Sequence, residues 1–230
     1  MFRLLMIQAD ITNELDTLAA EPEGISTKFI DLAIKGGWIM IPIILLSIIG
    51  VYIFFDRYFA IKKAGKFDDS FLEKIRAYIT SGKIDEAIML CRNNSHPASK
   101  MIEKGISRIG RPLNDVTVAI ENVGNLEISK LEKGLPVLAS VAGGAPMLGF
   151  LGTVMGMIQA FYDMANAGNN IDVTLLSTGI YQAMVTTVAG LIVGIIAYFA
   201  YNILVANVEK VVFKMEATTS EFMDLLNEPV

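Results

Sequence analysis

The chain has 230 residues, 53% of them hydrophobic and 19% charged, and a formal net charge of −5. That acidic balance gives no reason to expect nucleic-acid binding. One cysteine, Cys91, excludes an internal disulfide and the usual paired-cysteine metal motifs, and one histidine, His96, leaves no histidine-based catalytic set, so no cofactor is expected.

The first ten residues, Met1 to Asp10, begin like a signal peptide. Their apolar part is too short and acidic residues follow at once, so the segment is expected to stay uncleaved. Residues 1–35 are expected to form an extracytoplasmic segment. Within it, Phe29, Ile30, Ala33 and Ile34 have the spacing of a short helix lying on the membrane interface. Residues 36–55 carry no charge and are bounded by Lys35 and by Asp56-Arg57, which suits a first span. Trp38 at one end and Tyr52, Tyr58 and Phe59 near the other suit the two interfaces, and Pro42 comes early enough to be tolerated.

Residues 56–133 are rich in charge and read as helices throughout. One is expected from Asp68 to Ile79 with Asp68 or Asp69 as N-cap, one from Ile84 to Arg92 after Ser81-Gly82, and one from Ala98 to Ile109, ended by Gly110-Arg111-Pro112. Cys91 and His96 fall at a helix end and the turn after it, as a half-buried cysteine and a turn histidine. From Asn114, the apolar positions Val116, Ile120, Val123, Leu126 (or Glu127) and Leu131 repeat helically. With no break evident, this helix is expected to run on into the second span.

Residues 134–162 and 173–208 contain no Asp, Glu, Lys, Arg or His, 29 and 36 residues against the roughly 20 a bilayer requires. Residues 163–172 make a short loop between them, and residues 209–230 form the tail. Of the 19 Lys and Arg, 14 lie in residues 56–133 and none in the short loop. The large segment and the C-terminus are therefore expected in the cytoplasm, with the N-terminus and the loop on the other side. At 1.5 Å per residue the two long runs would extend about 43 and 54 Å, beyond a hydrocarbon core of roughly 30 Å. The excess should project into the cytoplasm and be covered by other subunits or by the cytoplasmic helices. The fold class expected is an all-α integral membrane protein with three transmembrane helices, the second and third long and extending into a helical cytoplasmic region.

These two spans are not plain anchors. In the second, Ala142, Ala145, Gly149, Gly152, Gly156, Gln159 and Asp163 recur three and four apart, a stripe along which another backbone can approach closely. Thr153 sits beside it. In the third, Ala183, Thr187, Gly190, Gly194 and Ala197 form a similar small face, with Gln182 and Thr186 next to it. Either face could be ordinary packing, and a membrane threonine often bonds only its own backbone. Together they also fit a polar seam of hydroxyls for a proton path, though neither span holds the titratable group such a path needs.

The run Ala145-Pro146-Met147-Leu148-Gly149-Phe150-Leu151-Gly152-Thr153-Val154-Met155-Gly156-Met157 resembles the signature of the MotA/TolQ/ExbB proton-channel family, as does, more loosely, Gly179-Ile180-Tyr181-Gln182-Ala183-Met184-Val185-Thr186-Thr187-Val188-Ala189-Gly190-Leu191. Three spans with a large cytoplasmic segment match its ExbB/TolQ branch. The resemblance implies a pentamer in the bacterial inner membrane whose second and third spans line a pore. Two single-span ExbD- or TolR-like partner helices would sit in that pore and supply the protonatable Asp. By the match, Thr153 and Thr187 face that Asp, Gln182 and Thr186 belong to the proton pathway, and Ala145, Gly149, Gly152, Gly156, Ala183, Gly190 and Gly194 pack the pore and the partner. Position 182 is Gln where enteric ExbB carries Glu, and Ser177-Thr178 replace the family proline before Gly179. The resemblance implies a motor subunit, not an enzyme, that acts among lipids and energises outer-membrane transport through a TonB-like protein. TolQ-like envelope constriction, gliding machinery and a non-conducting scaffold are the alternatives. No charged binding group or inverted repeat points to a substrate transporter.

Overall fold

A computed structural model describes residues 36–66, 70–94, 96–166 and 173–227, and every regular element among them is helical. The expected interfacial helix before residue 36, the N-cap at Asp68 or Asp69 and most of the loop after Asp163 lie outside the described residues. The helices are α1 (Met40–Ala64), α2 (Ser70–Thr80), α3 (Ile84–Asn93), α4 (Pro97–Ile106), α5 (Leu113–Glu132), α6 (Leu135–Asn166) and α7 (Val173–Asn227). Three stretches, Met40–Ala64, Leu113–Asn166 and Leu176–Asn227, are long and apolar enough to cross a bilayer. The all-α class with three spanning helices is the one observed.

One expectation is corrected. The helix starting near Asn114 does not run unbroken into the second span. It stops at Glu132, and α6 begins at Leu135 after a turn in which Gly134 has φ +87°. Only glycine adopts that conformation without strain. Pro136 then falls in the first turn of α6, where its missing N–H costs nothing.

The described residues divide into two compact units, one joining residues 36–42 with those between Leu148 and Gly190, the other those between Ile43 and Met147 with residues 191–227. The second unit holds the larger core. Along α7, Leu204, Val208, Val211, Met215, Thr218 and Phe222 recur four and three apart and all are buried, a seam at heptad-like spacing. Phe71 and Ile75 of α2, Ala87 and Cys91 of α3, Ala98, Met101 and Ile102 of α4 and Val116 and Ile120 of α5 join the same core. The apolar extension of α7 is therefore covered by the chain's own small helices, and residues 209–227 continue that helix. Cys91 is fully buried, and burial first, then the charge of Glu103, pushes its thiol up to about 12.

Glu127, not Leu126, is the inward residue of its turn: Leu126 is 62% exposed and Glu127 is 7% exposed. Its carboxylate accepts from Lys100 Nζ at 2.8 Å and Lys130 Nζ at 2.6 Å. Burial alone would raise its pKa, but the bonds to the two lysines outweigh that and lower it. The charge thus ties α4 to α5, and removing the lysines would strand it.

His96 is more than a turn residue. Its Nδ1 accepts the Ala98 N–H at 3.0 Å, capping α4 ahead of Pro97 at the first helical position. Burial, and then the charge of Lys214, lower its pKa to about 4. Below pH 6.5 the unfolded chain takes up the proton first, so stability is full above that pH and is lost as pH falls toward 4. At pH 5 the loss should be about 2 kcal/mol. His96→Asn keeps a good cap without a titrating ring. Thermal melts of the solubilised protein at pH 7.5 and pH 5 should show a larger acid-induced drop for the native chain than for the variant. Equal drops would assign the acid sensitivity to other groups.

Candidate functional site

The unit containing Leu148–Gly190 brings most of the expected residues together. Here α6 and α7 run against one another with almost nothing between their backbones. A Cβ placed on Gly149 would lie 2.9 Å from the Thr186 carbonyl oxygen, 3.1 Å from Thr187 Cα and 3.3 Å from Gly190 Cα. One on Gly156 would lie 2.9 Å from Ala183 Cβ and 3.1 Å from the Gly179 carbonyl, and one on Gly179 would meet Ala160 Cβ at 2.5 Å. Glycine and alanine at these positions are what let two helices approach so closely in a bilayer.

The hydroxyls occupy three different environments. Thr187 Oγ1 donates across to the Gly149 carbonyl at 2.9 Å. Thr186 is 1% exposed, its side chain fills the space over Gly152, and its Oγ1 donates to Ala183 O of its own helix at 2.7 Å. Thr153 is half-buried and donates to Phe150 O at 2.6 Å. Gly149, one turn before Thr153, is bonded to Thr187, and Gly152 beside Thr153 touches Thr186 beside Thr187. The register therefore sets Thr153 and Thr187 at one level of the helix pair. Each hydroxyl has used its proton on a carbonyl and keeps lone pairs to accept a bond from water or a protonated carboxyl.

Gln182 is half-buried, and its amide packs against Gly37, which takes φ +72° where the chain enters α1. Gln182 also borders a cavity of about 270 Å³ together with Trp38, Gln159, Asp163 and Thr178. Gln159 Nε2 donates to Asp163 Oδ1 at 2.8 Å one turn further along α6. Asp163 closes the small-residue stripe read from spacing but was not among the candidate site residues, and Thr178 lay off that stripe; both line this cavity. The usable signal was Gln159 four residues before Asp163, an amide–carboxylate pair on one helix face.

The remaining small residues lie in the other unit. Ala145, Gly194 and Ala197 are buried. Pro146 sits inside α6 with its ring against Gly194, where a Cβ would also lie 3.0 Å from the Ala142 carbonyl. Glycine opposite the proline makes room for the ring and for the carbonyl the proline leaves without its helical donor. Among the described residues no group of His, Cys, Asp or Glu is placed to hold a metal.

Residues 93–217 match the model of the MotA/TolQ/ExbB proton channel family. An ExbB homolog of Methanothermobacter thermautotrophicus is 33% identical over 131 residues, which is 57% of this chain and 46% of that protein. The Tol-Pal system protein TolQ of Pseudomonas aeruginosa is 26% identical over 203 residues, 84% of this chain and 87% of TolQ. The biopolymer transport protein ExbB of Neisseria gonorrhoeae is 30% identical over 136 residues, 58% of this chain and 59% of that protein. The chain thus spans about half the length of some of the relatives it matches. The matched stretch takes in both glycine runs, the three threonines and Gln182, and with its three helices long and apolar enough to cross a bilayer the chain belongs to the MotA/TolQ/ExbB proton channel family, as a multi-pass membrane protein.

Proposed function

We propose that this chain is a proton-driven stator subunit of the inner membrane, ExbB-like, assembling as a pentamer around ExbD-like single-span helices. The Thr153 and Thr187 hydroxyls would face the partner's Asp, and protons passing inward would move the partner. Through a TonB-like protein that movement would drive transport at the outer membrane. Each proton crossing 100 mV supplies about 2.3 kcal/mol, so a few crossings suffice for mechanical work.

The observation that carries this reading is the bond from Thr187 to Gly149 O, which fixes one hydroxyl at the level of Thr153 between two stretches, residues 134–162 and 173–208, that hold no carboxylate of their own. Such a seam can relay a proton but cannot capture one, so it calls for a partner that brings the acid. Gln182 can hydrogen-bond water but carries no proton, which leaves the coupling to the partner's Asp. A second reading, TolQ-like work on the cell envelope, draws support from the Tol-Pal system relative, whose match covers 84% of the chain.

The test is native mass spectrometry of the chain purified in mild detergent from its own cells. Five copies holding a small single-span protein with an intramembrane Asp are expected, and the partner's sequence would separate the two readings. A monomer or dimer without such a protein would overturn both.

A further inference from the structure

In the unit formed by Ile43–Met147 and Leu191–Val230, a cleft of two separate hollows lies along α1 and α7. The first is a groove of about 490 Å³ lined on α1 by Ser47, Val51 and Phe55, on α7 by residues from Val193 to Ile203, and by Leu138 and Val141 of α6. Over those residues the groove runs roughly 12–15 Å along the helices, about half the thickness of a hydrocarbon core. Its lining is apolar except for the Ser47 hydroxyl.

Further along the same two helices lies a second hollow of about 310 Å³, lined by Tyr58, Lys62, Asn207, Lys210 and Lys214 and by no carboxylate. Lys62 follows Phe55, and Lys210 follows Ile203, by seven residues, so their Cα atoms stand about 10 Å beyond the last residues of the groove, within reach of lysine side chains that can lean back toward it. None of the three lysines has an ion pair among the described residues. Lys62 lies over the Tyr58 ring, 5.7 Å from its centroid. Arg57 and Asp56, by contrast, are paired with each other.

An apolar trough one leaflet deep, followed along the same helices by a hollow with three lysines, a phenol and an amide, has the chemistry of a phospholipid's two halves. We propose that this cleft binds one anionic phospholipid per chain, with an acyl chain along the groove and the headgroup phosphate on Lys62, Lys210 and Lys214. Charge complementarity selects the occupant. A second copy of this chain would have to bring carboxylates to the lysines, and a zwitterionic lipid would set its own ammonium beside them. The lipid belongs to the leaflet at the basic end of the protein, where Lys63 and Lys66 also stand.

The site can be tested on the full chain, delipidated in detergent and titrated in native mass spectrometry with phosphatidylglycerol, phosphatidylcholine and glycerol phosphate. Phosphatidylglycerol should bind about tenfold or more tightly than phosphatidylcholine. The triple variant Lys62→Gln, Lys210→Gln, Lys214→Gln should lose that preference. Val51→Trp, which fills the groove from a half-exposed position, should weaken both lipids while its melting temperature stays near that of the native chain. Equal affinity for the two lipids, or a triple variant that keeps the preference, would overturn the proposal. So would competition by glycerol phosphate at lipid-like concentrations, which would make the hollow a site for free phosphate.

Discussion

Thr187→Val should cut partner-dependent proton flux by roughly a hundredfold, the lower end of what a positioned group contributes to proton transfer, while leaving the assembly intact. The two outcomes have separate physical sources. Valine has nearly the shape of threonine, so the close approach at Gly149 is kept. What disappears is one hydrogen bond, from Thr187 Oγ1 to Gly149 O at 2.9 Å. Such bonds between membrane helices are worth about 0.6 kcal/mol on average and rarely above 1.7, too little to dissolve a helix pair held by its whole length. The lone pairs of that hydroxyl are lost as well, and with them the acceptor that a protonated carboxyl or a water would use.

Thr186→Val is the matched control. Its hydroxyl is spent on Ala183 O within its own helix and is buried against Gly152, so flux should change by less than about threefold. Thr187→Ser should restore most of the native flux. Flux can be read as acidification of the interior of vesicles carrying the chain with its partner, and assembly as the mass of the complex. Equal losses in the two valine variants would mean that the threonines act through packing. No loss in either would favour a scaffold that does not conduct.

How far the sequence reaches can be judged residue by residue. The spans are legible because charge is absent from them, and a missing charge needs no knowledge of neighbours. The breaks at Gly82 and Gly110, with φ +71° and +90°, stand beside Ser81 and Pro112, which announce a turn locally. Gly134 has a similar herald in Pro136, two residues on, but the apolar period runs through it and a proline is also at home in the first turn of a helix, so periodicity hides the break.

Burial of charge is the other blind spot. Leu126 and Glu127 compete for one inward position, and hydrophobicity favours the leucine. Lys100, 27 residues away in sequence, settles it for the glutamate. In the same way, the stripes in the two spans mark Thr153, Thr186 and Thr187 as one group of candidates. Only the register of α6 on α7 divides them into a hydroxyl that crosses to the other helix, one sealed against Gly152 and one left half-buried. A helical period gives the face of a residue but not what it meets there.

Gly149→Val should be among the most damaging single substitutions in the seam, lowering stability by about 3 kcal/mol or more, at the upper end of overpacking costs. The size follows from what stands in the way. A Cβ at Gly149 meets the Thr186 carbonyl oxygen and the Cα atoms of Thr187 and Gly190, which are all main-chain atoms with no rotamer to change. The helices must separate, and Thr187 then loses its acceptor. At Gly105 the obstacles are side chains, the Phe222 ring at 2.5 Å and Ile120 Cδ1 at 2.8 Å, so Gly105→Ala can be absorbed in part by repacking and should cost less. Gly143 has nothing within 4 Å of a Cβ, and Gly143→Ala should be neutral or slightly stabilising through helix propensity. Unfolding of the three variants in detergent with added denaturant should rank them in that order. If Gly149→Val unfolded no more easily than Gly143→Ala, the helices would not be held together at this seam, and the level shared by Thr153 and Thr187 would have no structural basis. If it ranked first but the few assembled copies still carried flux, the crossing bond would be a packing device and the proton would pass elsewhere.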